Sequence, residues 1–382
     1  MAQKSTLQKL SESITEKISN VTRMGHCFSI SSKVFSLIDV PDEILLKIFM
    51  SLPPKDLGRC LQVSKRFNQI LKDVKLWQNI RIWNKFLRRK GISAKFFSQA
   101  LDYGLENLSL RRCVVNGVLE CRDKNQLKSL YLKRMNFYKR DNREFVSNVL
   151  ENCQFLQQLF IQGFGSSKLD FQKITLNGHS LKVINISFHK FKVYWTQTSI
   201  ALNLETVKLI VDNCTELSEL ALSNISQLAA VYLCHNLTPK ICKLHLDCTL
   251  KSNGFYLPNN SVKILTKRCN KLTALGICYI RISNAAVRYI KNLANLEKLA
   301  LCQSEEELTV RIHDFAEMSK LKLLCITSVY TFFGKKRQLK EMCIQQLSHM
   351  ENLRVLFDGV KLVNFCYQKK LMDIAKPDKN RW

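Results

Sequence analysis

The chain contains two different hydrophobic spacings, one after the other. Within residues 37–83, apolar side chains recur every three or four positions, as in the run 44–52, and this is the spacing of one helix face. From about residue 105 the pattern becomes Leu-x-x-Leu-x-Leu, whose last two leucines fall on the same side of a short strand. The sequence therefore predicts a small helical unit followed by a long series of strands.

Prolines and polar residues mark the helix ends in the helical unit. Pro41 suits the first turn of a helix, and Pro53 with Pro54 stops that helix. Ser64 is placed to cap a later helix. We predict a three-helix bundle that closes at Trp77. A bundle of this size has a thin core, so we expect some of its apolar side chains to face a partner.

This helical unit resembles an F-box. The family usually has Leu in place of Val40 and often has Trp in place of Phe67, and both changes keep an apolar residue. The resemblance is carried by an ordered set of positions: Val40-Pro41-Asp42-Glu43-Ile44-Leu45, Ile48-Phe49, Leu52-Pro53, Asp56-Leu57, Val63-Ser64-Lys65-Arg66-Phe67 and Leu76-Trp77.

The resemblance implies a docking role for the helical unit. An F-box docks on a Skp adaptor, which is held by a cullin scaffold that carries a RING subunit and a ubiquitin-conjugating enzyme. Carried over position by position, it implies a set of residues that contact the adaptor or support that contact: Pro41, Leu45, Ile48, Phe49, Leu52, Leu57, Val63 and Trp77.

The strand pattern occurs ten times, at intervals of 22 to 36 residues. This repetition resembles a leucine-rich repeat solenoid, in which a repeat buries its leucines only by stacking on its neighbours. Return helices are expected at 145–150, 204–211 and 287–293. The copies are Leu105-Leu108-Leu110, Leu127-Leu130-Leu132, Leu156-Leu159-Ile161, Leu181-Ile184-Ile186, Leu217-Leu220-Leu222, Ile241-Leu244-Leu246, Leu272-Leu275-Ile277, Leu296-Leu299-Leu301, Leu321-Leu324-Ile326 and a degenerate Leu353-Leu356 followed by Asp358.

The predicted fold is an α/β solenoid, with a small N-terminal three-helix F-box followed by a leucine-rich-repeat arc of parallel concave strands and outer helices. The expected divisions are a polar leader over 1–36, the F-box over 37–83, linker or cap helices over 84–104, about ten repeats over 105–362, and a tail over 363–382. The leader is either a short amphipathic helix or a disordered segment. The tail either covers the C-terminal part of the concave face or leaves it open.

Cysteine usage fits a reducing compartment. The chain has 15 cysteines but begins with a polar segment and contains no run of 18 apolar residues, so we predict free thiols in the cytoplasm or nucleus and no membrane association. Cys153, Cys214 and Cys269 each lie three residues before the first leucine of a repeat. Leu and Met occupy this position in other repeats, so these thiols are predicted to pack in the core.

The residues between the repeat leucines should lie on the open, concave face. They change from polar and basic in the first copies to small and apolar in the last, and an exposed apolar strip commonly marks a binding site. His245, between two leucines, should also project from this face. The candidate substrate-binding set is Arg111, Tyr131, Lys133, Phe160, Cys278, Cys302, Leu323, Cys325 and Phe357.

The chain is strongly basic. Lys and Arg number 59 against 31 Asp and Glu, a formal net charge of +28. Residues 81–145 are the most basic stretch. They favour an acidic or phosphorylated protein substrate, with nucleic acid as the competing partner and a solvated surface without a ligand as the plain alternative.

Catalytic and metal-binding motifs are missing from the sequence. It has no Walker glycine loop, no His-Glu-x-x-His, no Gly-x-Ser-x-Gly and no Cys-x-x-Cys, so we predict no enzyme activity, cofactor or metal. The resemblances together imply the substrate-recognition subunit of an SCF-type ubiquitin ligase, which directs a bound protein to proteasomal degradation. The alternatives are a basic scaffold that binds nucleic acid or another acidic partner, and a structural array whose helical unit only caps the repeats.

Overall fold

The computed structural model describes residues 40–83, 91–120, 125–164, 169–175, 178–188, 202–248, 255–278, 280–303, 312–328, 350 and 353–357. The predicted leader (1–36) and C-terminal tail (363–382) lie outside these ranges, so neither alternative for either segment is decided by the structure.

Four short helices form the N-terminal unit, one more than the sequence predicts. They are α1 (Asp42–Met50), α2 (Pro54–Cys60), α3 (Lys65–Ile70) and α4 (Val74–Trp77). The additional helix is the single turn α4, which is capped because the Asp73 side chain accepts a hydrogen bond of 2.8 Å from the Lys75 N–H. One turn is too short to show a periodic apolar pattern, so the sequence did not reveal it.

Within the described ranges, eleven strands form one parallel sheet in the order of the chain, as predicted for a repeat solenoid. Two small two-stranded pairs lie beside it, β2 (Ile92–Ser93) with β4 (Val115–Asn116) and β10 (Phe255–Tyr256) with β12 (Ile280–Arg281). The strands of the large sheet are β1 (Asn79–Trp83), β3 (Asn107–Arg111), β5 (Ser129–Asn136), β6 (Gln158–Phe164), β7 (Val183–Phe188), β8 (Glu219–Ser223), β9 (Lys243–Asp247), β11 (Ala274–Cys278), β13 (Lys298–Gln303), β14 (Leu323–Ser328) and β15 (Arg354–Phe357).

The repeat sheet begins earlier than residue 105. The Gln78 carbonyl accepts hydrogen bonds from the N–H groups of Glu106 and Asn107, at 3.1 and 2.9 Å, and β1 pairs with β3 along its whole length. The last five residues assigned to the helical unit therefore form the first strand of the arc. The strand was not predicted because its segment, Asn-Ile-Arg-Ile-Trp, does not match the Leu-x-x-Leu-x-Leu pattern.

Helices return the chain between strands and lie against one side of the sheet. The predicted helices at 145–150 and 204–211 are confirmed within α6 and α7, and most of 287–293 lies in α10. The helices of the arc are α5 (Ala94–Asp102), α6 (Arg140–Asn152), α7 (Leu204–Asn213), α8 (Gln227–Asn236), α9 (Asn259–Arg268), α10 (Asn284–Lys291) and α11 (Ile312–Ala316), with 3-10 turns at Phe171–Thr175 and Gly178–Ser180.

One continuous apolar core joins the helical unit to the repeats and extends to Leu324. The repeat leucines contribute to it from Leu105 to Leu324, and Leu159 and Leu220 are buried. Cys153, Cys214 and Cys269 are buried in the same core, which confirms the prediction from their position. Burial raises the pKa of Cys214 to about 12, so this thiol is a packing group rather than a nucleophile.

Candidate functional site

Most of the predicted adaptor-binding residues lie inside the helical unit. Leu45, Ile48, Phe49, Leu52, Leu57 and Trp77 are buried, whereas Pro41 and Val63 are exposed. The six buried side chains are therefore placed to support a docking surface from within. The two exposed ones are placed to touch a partner directly.

Aromatic packing and one arginine hold the helical unit together. The rings of Phe49 and Phe67 meet edge to face, with centroids 5.1 Å apart. The Arg66 guanidinium donates to the Asp42 carboxylate at 2.6 and 2.8 Å, and to the Val40 carbonyl at 2.5 Å. These contacts fix α3 against the start of α1, so the residues at the start of α1 have a defined position.

Trp77 joins the helical unit to the arc. Its indole N–H donates to the Leu71 carbonyl at 2.5 Å. Its ring packs against Phe96 and Tyr103, with centroid distances of 5.8 and 5.3 Å, and Phe96 lies on α5. The orientation of the helical unit is therefore set by the first helix of the repeats.

The helical unit keeps apolar side chains on its surface. Among the described residues, ten large hydrophobic side chains are exposed, and four of them lie on the helical unit. Ile44 is 41% exposed, Met50 58%, Val63 40% and Val74 52%. Sequence reasoning predicted such an excess but did not select Ile44 or Met50, because helical spacing alone does not tell which side of a small bundle faces outward.

Three cations and three aromatic rings lie together on the open face of β1, β3, β5 and β6. We call this the basic open-face surface, and it comprises Arg81, Trp83, Arg111, Tyr131, Lys133 and Phe160. The Arg111 guanidinium lies 4.6 Å from the Trp83 ring centroid. Tyr131 stacks on Phe160 at 4.3 Å, and its hydroxyl donates to Gln158 at 2.6 Å. The structure therefore brings together the first four members of the predicted substrate-binding set.

The basic open-face surface carries a concentrated positive charge. The open-face positions of these four strands hold no carboxylate. Burial lowers the pKa of the nearby Arg134, and the charges of Arg112 and Arg111 lower it further. Burial also raises the pKa of Tyr131 to about 12, with a further increase from Glu219 and an opposing effect from Arg81. Positive charges that repel one another attract an anionic partner.

The later candidates do not form the exposed apolar strip that the sequence predicts. Cys278 and Cys325 are buried and Leu323 is half-buried, while the side chain of Cys302 lies outside the described residues. Ala274, Gly276 and Ala300 on the same strands are buried as well and have one carbon atom or none in the side chain. Short side chains on the open face are covered by the longer side chains around them. The alternating pattern therefore predicts on which face of the sheet a residue lies, but not whether its side chain is exposed to solvent.

Phe357 differs from its predicted place through a shift of one residue in strand register. β15 pairs with β14 so that Phe357 lies opposite Ile326 and Leu356 lies opposite Cys325. Ile326 occupies the register position of the inner leucines. The side chains of Leu356 and Phe357 lie outside the described residues, so the exposure predicted for Phe357 stays a prediction.

The described part of the chain contains no cluster of three or more His, Cys, Asp or Glu side chains that could hold a metal ion. Nor does any helix in those ranges have the length and hydropathy needed to cross a membrane.

These features define a repeat arc with a small helical unit at its N-terminal end. The F-box-like family model matches residues 37–83, so this helical unit is an F-box-like domain. Among solved structures, the chain is similar to an internalin from Listeria monocytogenes. The two are 16% identical, the aligned region covers 75% of each chain, and the TM-score is 0.40. At that score the assignment of the arc rests on the strand order and register of this chain.

Proposed function

We propose that the chain is the non-catalytic substrate-recognition subunit of an SCF-type E3 ubiquitin ligase. The F-box-like domain docks on a Skp-type adaptor and, through it, on a cullin and a RING subunit. The repeat arc binds a protein substrate. The observation that supports this proposal best is that a domain whose family model is F-box-like keeps four large apolar side chains exposed, Ile44, Met50, Val63 and Val74.

The chain would contribute proximity rather than bond chemistry. A substrate on the arc and a ubiquitin-conjugating enzyme on the cullin would belong to one complex, so ubiquitin transfer becomes effectively intramolecular. Proteasomal degradation of the substrate, in the cytoplasm or nucleus, is part of the same proposal.

A binding assay with purified Skp-type adaptor tests the docking step. Because docking is apolar, the affinity should change little between about 0.15 M and about 0.5 M salt. The double variant Ile44→Asp, Met50→Asp should bind at least about 30-fold more weakly, which corresponds to the loss of about 2 kcal/mol from an interface anchor. Val118 is 63% exposed on the arc, so Val118→Asp is the matched control and should bind as the wild type does.

Failure of the wild type to bind the adaptor would contradict the proposal. So would equal losses in the double variant and in Val118→Asp, because the effect would then not be specific to the helical unit. Circular dichroism of each variant establishes that the fold is kept.

The basic open-face surface supports a second candidate function, the binding of single-stranded nucleic acid. Three cations lie beside the exposed ring of Trp83 and the half-buried rings of Tyr131 and Phe160, and such a combination of cations and rings suits a phosphate backbone with stacked bases. If Arg81, Arg111 and Lys133 each contact a phosphate, log K should fall with log salt with a slope of about −2. Arg111→Gln should reduce that slope, and tight binding of an oligonucleotide by a chain that ignores the adaptor would favour this alternative.

A further inference from the structure

The open face of the central strands contains an apolar hollow that the sequence did not predict. The half-buried Val183 of β7 and Ala221 of β8 line it, and His245 of β9 closes one side. Its exposed lining is mainly apolar, and the polar Asn185 Nδ2 beside it is occluded. We call this the central hollow, and its surface suits an aliphatic group rather than a polar one.

A short side chain and a glycine create the central hollow. Ala221 lies between Asn185 and His245 on the neighbouring strands, so a methyl group forms the floor between two longer side chains. His245 leans over Gly276 on β11, where an added Cβ would lie 2.2 Å from the ring Nδ1. Because the ring leans towards the glycine, the space above Ala221 stays open.

The central hollow adjoins the basic open-face surface. Phe160, which ends that surface on β6, pairs in register with Asn185 of β7, and Ala221 follows in the same row. Neighbouring strands lie about 4.8 Å apart, so Lys133 on β5 and the hollow on β8 are separated by about 14 Å. An extended chain rises about 3.3 Å per residue, so about four residues span this distance. One bound segment can therefore reach both surfaces.

The positive charge of the open face stops before the central hollow. The strands β1, β3, β5, β6 and β7 contain no Asp or Glu. The first carboxylate of the sheet is Glu219 on β8, and it pairs with Lys243 at 2.6 Å, so the charges beside the hollow cancel. A partner that is anionic along its whole length gains nothing by continuing past β6, whereas a partner that is acidic at one end only fits both regions.

The cations of the basic open-face surface are spread over three strands. The Arg111 guanidinium lies 4.6 Å from the Trp83 ring centroid on β1, and so points away from Lys133, which lies on the other side of β3. Arg81 is on β1 and exposed. Cations separated in this way suit several carboxylates along a chain better than one phosphate, which needs converging donors.

We propose that the open face binds an extended segment of another protein, with acidic side chains at one end and an aliphatic side chain about four residues further along. The carboxylates pair with Arg81, Arg111 and Lys133, and the aliphatic side chain enters the central hollow. The proposal deepens the proposed function and rests on it only in making that protein a substrate of the ligase.

Calorimetric titration of the full-length chain without adaptor tests the proposal with synthetic peptides. The main probe is acetyl-Glu-Ser-Glu-Ser-Gly-Ser-Leu-amide, which has the proposed spacing between its second glutamate and its leucine. At about 0.1 M salt it should bind with a Kd on the order of 0.1 mM. Replacing both glutamates by glutamine should weaken binding at least about 10-fold, and replacing the leucine by serine should weaken it about 5-fold. Raising the salt to about 0.5 M should shrink the first difference and leave the second unchanged.

Variants assign the two contacts to their residues. Ala221→Leu fills the central hollow, so it should remove the difference between the leucine and serine probes. Lys133→Gln should weaken the main probe at least about 3-fold and leave the glutamine probe unchanged. The matched control is Lys267→Gln, an exposed lysine on the outer helix α9, which should leave all affinities unchanged. Circular dichroism establishes that each variant is folded.

Equal binding of the glutamate and glutamine probes, or of the leucine and serine probes, would overturn the proposal. So would tighter binding of a short oligothymidylate, or of the glutamine probe with its first serine phosphorylated, because the surface would then serve a phosphate ligand. Adaptor binding is measured separately, so either proposal can fail without the other.

Discussion

The helical unit and the repeat sheet differ in how far they bury their apolar side chains. In the helical unit, Phe49 is fully buried while the next residue, Met50, is 58% exposed. In the sheet, the inner positions are buried from one repeat to the next, and the open face carries polar, basic and aromatic side chains in the first repeats and very short ones in later repeats. The sheet therefore buries most of its hydrophobic surface by stacking, whereas the helical unit leaves large apolar side chains exposed.

The largest expected effect separates two adjacent residues of α1. Phe49→Ala should destabilise the helical unit by about 3–5 kcal/mol, because it removes a buried ring that packs against Phe67. Met50→Ala should change stability by no more than about 0.5 kcal/mol, because its side chain is on the surface. Chemical denaturation of both variants, followed by far-UV circular dichroism, makes the comparison, and equal losses would show that Met50 is not free to face a partner.

The second comparison lies within the arc. Leu220→Ala should cost about 2–5 kcal/mol, because it opens a cavity between stacked repeats. Leu228→Ala is the matched control, since Leu228 on α8 is 69% exposed and should lose no more than about 0.5 kcal/mol. If both variants unfolded at the same denaturant concentration, the alternating pattern would not describe the core.

These two comparisons also separate what the sequence could predict from what it could not. In strands, alternation decides which face of the sheet a residue occupies. The buried leucines, the core cysteines and the order of the strands could therefore be predicted from the sequence. The burial of Cys278 depends on the lengths of side chains on neighbouring strands, which no single repeat encodes. In the helical unit, spacing predicted the helices but did not distinguish the buried Leu45 from the exposed Ile44, because each helix contacts several others.

The third effect is a pH dependence located at His245. Burial lowers its pKa from 6.5 to about 4, so between these values the unfolded chain binds a proton that the folded chain does not. Stability should therefore fall as pH falls through this window, by about 1–3 kcal/mol for a partly exposed ring. His245→Asn should show a correspondingly smaller decrease in denaturation experiments at a series of pH values. An identical decrease in both proteins would contradict a buried neutral imidazole.

The smallest effect concerns the hydrogen bond on the basic open-face surface. Tyr131→Phe removes the donor to Gln158 and should cost about 1 kcal/mol, while the stacking on Phe160 is kept. Thermal unfolding of the variant beside Tyr131→Leu, which also removes the stack, distinguishes the two contributions. A loss of several kcal/mol from Tyr131→Phe would mean that this ring supports the sheet as well as its surface.

The central claim is that docking belongs to the helical unit and substrate binding to the open face of the arc. Hydrogen–deuterium exchange of the chain with and without a Skp-type adaptor tests this division most directly. The account predicts slower exchange at backbone amides of α1 to α4 and unchanged exchange in β3 to β14. Protection spread over the open face of the sheet, with none in residues 40–83, would contradict it.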